Sequence, residues 1–246
     1  MKILVLRFDA PLVSFGAPAI DQNGVVQRFP ALSMLTGLVA NALGWEHRDT
    51  ERLDALQERI RYAARIDRSG EALVDYQTVD LGTEWMLPEN AGWTTRGHIA
   101  ERGGASGEGT HQRYRHYRAD SVHTVALTLV GTETPTLDDL AVALREPARP
   151  LFIGRKCCLP ATPLLLDVVE AASLVDALAS TSRISPRRTA HGLLPACWWD
   201  GDDASRASGE SRIVAVTDER DWGNRVHVGR RFMREGHVDP PEASHA

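Results

Sequence analysis

The stretch Trp93–Arg118, WTTRGHIAERGGASGEGTHQRYRHYR, decides how the chain divides, because it shows neither a helical nor a strand period. Its centre, Gly103-Gly104-Ala105-Ser106-Gly107-Glu108-Gly109, is glycine-rich and is expected to be mobile. Its second half gathers Arg113, Tyr114, Arg115, Tyr117 and Arg118 around His111 and His116. From Arg96 to Arg118, five arginines stand against Glu101 and Glu108, a local charge of +3 in a chain of net charge −5. A flexible tip on an Arg/Tyr/His-rich stem suits phosphate contact and base stacking. A solvated loop beside a strand has the same composition, so both readings stand at this point.

Regular elements flank this arm on both sides. Downstream, Val125, Leu127 and Leu129 alternate with Ala126 and Thr128, the pattern of a strand. Thr136 to Arg145 is a helix that opens on a Thr136/Asp139 capping box and carries a Leu137, Leu140, Ala141, Leu144 stripe. Pro147 and Pro150 end it, and Leu151-Phe152-Ile153 is predicted as a short strand stopping at Gly154. Upstream, Leu73 to Val79 is a strand after a turn at Ile66–Gly70. A helix after Thr50 carries Leu53, Leu56, Ile60 and Ala63/Ala64 on one face. An earlier helix begins near Pro30, carries Leu35, Leu38, Val39, Ala42 and Leu43, and stops at Gly44. Lys2 to Phe8 is a buried strand closed by Pro11 and Gly16, and Asp21 to Arg28 is a loop.

Strand, helices, strand, arm, strand, helix, strand is the split βαβ plan of an α+β, ferredoxin-like (RRM-related) domain over residues 1–154, with a thumb inserted at about 93–118. A smaller, β-rich C-terminal part is predicted over 155–234. It holds a strand at Leu164–Val169, a helix at Ala171–Ala179, and a basic loop at Thr181–Arg188 with Arg183, Arg187 and Arg188. A mobile loop at Asp200–Ser211 and a strand at Arg212–Thr217 follow. Asn224–Met233 is a basic strand or hairpin with Arg225, His227, Arg230 and Arg231, and residues 235–246 form a frayed tail.

Composition sets limits on function. With 246 residues and 43% apolar, the chain can bury a sizeable core. Its net charge excludes a uniformly basic coat but not a basic stripe, since the field a polyanion meets is local. Cys157, Cys158 and Cys197 make no CxxC pair, which predicts three free thiols in a reducing cytosol and no zinc. The most apolar window, Leu32 to Leu43, is short and interrupted by Ser33, Thr36 and Asn41, so a soluble intracellular protein is expected. No His/Asp/Glu cluster has metal-ligand spacing, and neither a P-loop nor a G-x-S-x-G occurs, so no cofactor or metal is expected.

Four segments together resemble the CasD family of the type I-E CRISPR surveillance complex, Cascade. They are Phe8–Gly16 leading to Arg28-Phe29-Pro30-Ala31-Leu32-Ser33; Asp75-Tyr76-Gln77-Thr78; Tyr114–Asp120; and Pro150–Ala161. The resemblance covers nearly the whole chain. It implies a ferredoxin-like domain with a thumb and a small C-terminal part, in a prokaryotic cytoplasmic protein. Its implied role is to hold the 5′ handle of the guide crRNA and cap the backbone. The implied partners are that crRNA, the backbone subunit CasC and the large subunit CasA, with target DNA met only through the complex and no membrane. Type I-C relatives cut precursor RNA, whereas type I-E members leave that to CasE, so no catalytic residue is expected. The RRM stacking signature is absent, so RNA is not expected on the sheet face.

The site residues follow from these segments. Gly154-Arg155-Lys156 would let backbone approach a phosphate and neutralise two of them, or be a tight turn with two solvated cations. Ser14, Phe15, Arg28 and Ser33 sit where free helix amides favour an anion. There Ser33 would bond a phosphate or cap the turn, and Phe15 would stack on a base or fill the core. His111, Arg113, Tyr114 and Arg115 supply stacking and phosphate contact. The alternative is a metal-independent endoribonuclease acting on repeat RNA, with His111 and His116 as acid and base and Tyr114 as orienter. Trp93, Trp198 and Trp199 fit either core or interface.

Overall fold

A computed structural model describes residues 1–18, 22–80, 110–184 and 192–242. Of the expected arm at 93–118, residues 93–109, with Trp93, His98 and the glycine-rich tip, lie outside the described residues, as do Arg187 and Arg188.

The longest of the described elements is β5 (Thr110–Leu129), and it takes in residues 110–118, the stem of the expected arm, which are paired strand and not an unperiodic loop. Its second half, with Val122, Val125, Ala126 and Leu127 all buried, reads as a strand covered on both faces. It pairs antiparallel with β1 (Lys2–Val13), placing Leu127 opposite Leu4, and with β3 (Ile60–Arg68), placing Leu127 opposite Tyr62. On the far side of β1 lies β6 (Leu165–Glu170). The order β6-β1-β5-β3 has α1 (Leu32–Ala42) and α2 (Thr50–Arg59) between β1 and β3, and α3 (Leu137–Arg145) between β5 and β6. That is the predicted ferredoxin-like plan. The sheet then continues beyond β3 through β7 (Leu194–Trp199), β11 (Arg231–Val238) and β8 (Ala207–Val216).

The sheet has helices on both faces. Leu4, Leu6, Phe8, Ala64, Val125 and Leu127 face α1, α2 and α3. Ile3, Ala63, Ala126, Ala196 and Trp198 face α4 (Leu174–Ser180). Trp198 is therefore core. Trp199 has two guanidiniums of this chain, Arg61 and Arg231, each 4.4 Å from its ring centroid, so it too takes part in this chain's own packing.

Several boundaries differ from expectation. Ile60 to Arg68 is a strand, not the end of a helix followed by a turn. Ala63 and Ala64 satisfy helical spacing as well as strand spacing, but they point into the two opposite cores, which only a strand allows. The strand at Leu73–Val79 exists, as β4 (Glu71–Asp80), but it pairs only with the first half of β5. Leu151-Phe152-Ile153 forms no strand; Ile153 N–H donates to Cys158 O (2.8 Å) in a closed turn. The fourth strand of the plan is β6, from the stretch read as the start of the C-terminal part. Strand β1 runs through Pro11 to Val13, which pairs with Arg118. The supposed mobile loop Asp200–Ser211 is already strand β8 from Ala207. The expected frayed tail begins as strand, because β11 continues to Val238, which is buried against Trp198 and α4.

The two main helices start differently. The α3 capping box is present, with Thr136 and Asp139 bonded reciprocally. Helix α1 has no side-chain cap of its own. The Leu32 N–H donates to Asp218 Oδ2 (2.8 Å) and the Ser33 N–H to Asp218 O (3.0 Å). A distant residue thus closes the amides that were expected to attract an anion, and that part of the anion site is corrected.

One core residue gives stability a pH dependence. His123 on β5 is buried against Phe15, their rings edge to face at 4.8 Å. Burial holds its pKa down at about 4. The fold keeps the imidazole neutral, so below its ordinary pKa the unfolded chain takes a proton that the folded chain refuses. The contribution of this group is full well above pH 6.5, begins to be lost near that pH, and is down by about 2 kcal/mol at pH 5 and on the order of 3 kcal/mol at pH 4. Urea titrations across that range should show the slope, and His123→Gln should remove most of it. An unchanged slope in that variant would assign the titration elsewhere.

Candidate nucleic-acid interface

The site is assembled around the end of β1. Gly154 has φ +92°, and a Cβ there would fall 1.8 Å from Ser14 O, so the glycine serves close packing of loop 151–158 on β1. The same residue lines the cleft described next. The next residue is a staple. Arg155 donates Nη1–H to His116 O (2.9 Å) and Nη2–H to Gly24 O (2.8 Å), and lies 4.7 Å from the Tyr117 ring. It joins β5 to β2 (Asn23–Gly24), a two-residue parallel partner of β5. Lys156 is exposed and makes no ion pair among the described residues.

These residues line one cleft of about 1090 Å³. Ser14, Ser33, Arg115, Gly154, Arg155 and Lys156 meet there, joined by Arg48, Arg149 and Arg220. Six cations thus stand against one carboxylate, Glu46, which is itself paired with Arg48 at 2.8 Å. Trp45, Tyr117, Phe152 and Trp222 give the cleft aromatic surface. Cations interleaved with aromatic rings suit a single-stranded polyanion with stacked bases.

The cleft's second wall is a hairpin, β9 (Glu219–Asp221) with β10 (Val226–Val228). Gln57 on α2 holds it from both sides, donating to Arg220 O (2.9 Å) and accepting from Arg220 N–H (3.1 Å). Trp222 packs behind it on α1, 3.6 Å from where a Gly37 Cβ would be.

Other expected site residues lie elsewhere. Phe15 is wholly buried against Phe8 and His123, so its ring has no face for a base. Arg28 turns toward Glu235 (3.7 Å) and lines a separate cavity of about 190 Å³. Arg113 and Tyr114 sit on the β4–β5 ribbon beyond the cleft, where Tyr114 pairs with exposed Tyr76 at 5.1 Å. The backbone of His111 pairs with Val79, and its side chain lies outside the described residues. Sequence reasoning missed Arg149, Arg220, His47 and Trp222 as cleft residues. The only signal was the basic run from Asn224, which lies on the hairpin.

Among the described residues no group of His, Cys, Asp and Glu is placed to hold a metal ion, and no helix is long and apolar enough to cross a membrane.

Comparison with known proteins agrees with this architecture. The CRISPR system Cascade subunit CasD of Escherichia coli (strain K12) is 31% identical over 183 residues, 71% of this chain and 75% of its own. A chain of a CRISPR RNA-guided surveillance complex has the same fold, with a TM-score of 0.71 and 24% identity over 97% of this chain and 91% of its own. A Cas protein crystal structure gives 0.62 and 24% identity, over 98% of both. Residues 3–234 match the family described as CRISPR-associated protein (Cas_Cas5). A match across nearly the whole chain, with a relative of that identity, leaves one assignment: this chain belongs to the CRISPR-associated protein (Cas_Cas5) family.

Proposed function

We propose that the chain is a non-catalytic RNA-binding and assembly subunit of a type I-E Cascade complex, holding the 5′ handle of the crRNA and capping the backbone subunits. The observation that carries this is the cleft: six cations with a single, already paired carboxylate, in a chain whose net charge is −5. A relative named as a Cascade subunit supports the assembly role. Ser14, Ser33, Arg115, Arg155 and Lys156 would meet the handle in the cleft, while Arg113, Tyr114 and His111 would extend the contact along the ribbon. CasC and CasA are the proposed protein neighbours, and target DNA is met through the complex.

Filter binding of a short synthetic RNA carrying the repeat-derived 5′ handle, at two salt concentrations, tests the RNA role. Tight, salt-dependent binding is expected, with no cut of repeat RNA in EDTA. A single product lost in His111→Ala or His116→Ala would favour the endoribonuclease reading instead.

The arm separates folding from assembly. Asp80 and Thr110 are opposite each other in register, so a short turn can join them. Loop-closure entropy changes slowly with length, so replacing residues 81–109 with Asn-Gly should leave a cooperatively melting protein. The cut must spare Tyr117, which is buried beneath Arg155. In co-purification the shortened protein is expected to lose the backbone subunit and the crRNA. Normal assembly would show the arm to be a passive loop.

A further inference from the structure

The cleft contains a titratable group that its cations surround. His47 lies on the connection between α1 and α2, just after Gly44 and Trp45, whose carbonyls both accept from Arg149 (2.8 and 2.7 Å). Four cations act on it from three other segments. Arg149 follows α3, Lys156 is on the 151–158 loop, and Arg220 and Arg225 are on the β9–β10 hairpin. On its own segment the carboxylates are engaged, Glu46 by Arg48 (2.8 Å) and Asp49 by the Glu46 N–H (2.8 Å). His227, the other imidazole of the cleft, shares the Arg220 field and also feels Asp218. Asp218 is itself committed to Arg231.

Arg149, Lys156 and Arg220 line the cleft alongside His47, and they are what a phosphate would seek there. A phosphate held by them lies in the same cleft as the imidazole, within the reach of the charges that act on it. We infer that His47 is a phosphate-binding residue of the RNA cleft, one that takes up a proton as the RNA enters. His47 is an exposed residue at the cleft, and the desolvation its surroundings impose, then the fields of Arg220, Arg225, Lys156 and Arg149, hold its pKa below its ordinary value in the free protein. A bound phosphate cancels that field and accepts a hydrogen bond from the imidazolium, so the proton returns from solvent. Handle binding is then linked to pH, tightening as the medium becomes more acidic. The inference rests on the RNA-binding reading above and adds a residue and a regulation to it.

The test is calorimetric titration of the full chain with the same synthetic handle RNA, in two buffers of different ionisation enthalpy, from pH 8 to pH 6. Wild type is expected to show net proton uptake at pH 7 and an affinity that rises as pH falls, by up to about tenfold per pH unit for each proton taken up. His47→Gln should lose most of the uptake and bind at pH 6 about as weakly as wild type binds at pH 8. His47→Lys, permanently charged, should bind at pH 8 about as tightly as wild type at pH 6. RNA binding with no proton uptake, or uptake undiminished in His47→Gln, would overturn the inference and leave the RNA role standing. No RNA binding at any pH would overturn both.

Discussion

Arg231→Met should lower the unfolding free energy by about 3–5 kcal/mol, the loss associated with leaving a buried charge unpaired. Arg231 and Asp218 are each more than nine-tenths buried. Arg231 Nε–H donates to Asp218 Oδ1 (2.7 Å), and Nη2–H to Asp218 Oδ2 (2.6 Å) and to the Tyr62 hydroxyl (2.7 Å). The same carboxylate accepts the first amide of α1. One cluster therefore ties β11, the segment before β9, β3 and the start of α1. With methionine at 231 the aliphatic volume is kept, but Asp218 stays in the core with no counter-charge. Urea unfolding reads the effect, and Asp218→Asn in the same chain should recover part of it, because the orphaned charge is then gone. A loss below about 1 kcal/mol would show that Asp218 finds water or another partner.

The second large effect is on RNA affinity. Arg115→Glu with Lys156→Glu reverses two cations of the cleft without touching the Arg155 staple. Changing Arg155 instead would release Gly24 and His116 and mix a folding defect with a binding one. Each lost phosphate contact to a single strand should flatten the dependence of log K on log salt by about 0.7. Two reversals should reduce handle affinity at moderate salt about a hundredfold, since attraction is replaced by repulsion. Thermal melting should be nearly unchanged, because Lys156 is exposed and Arg115 makes no ion pair among the described residues. Unchanged affinity and slope would remove this cleft from the RNA path and direct attention to the β4–β5 ribbon.

The sequence by itself determined the elements whose physics is local. Helix α3 carries its own capping box and stripe, α1 its own apolar face and the Gly44 stop, β1 an unbroken apolar run, and the second half of β5 a clear alternation, whereas its first half was read as part of the arm. Their order was enough for the ferredoxin-like plan, and the four segments were enough for the family. The tertiary structure decided whatever depends on partners distant in the chain. Ala63 and Ala64 fit a helix or a strand equally until two cores claim opposite faces. Gly154 is required because Ser14 lies against it, and Arg155 is a staple because Gly24 and His116 present carbonyls to it. The α1 amides, read as an anion site, are closed by Asp218, which lies 186 residues from Leu32. The cleft is the fullest case: its cations come from the α1–α2 connection, β5, the loop after α3 and the C-terminal hairpin. A field is the sum over charges near in space, and no spacing along the chain encodes that sum.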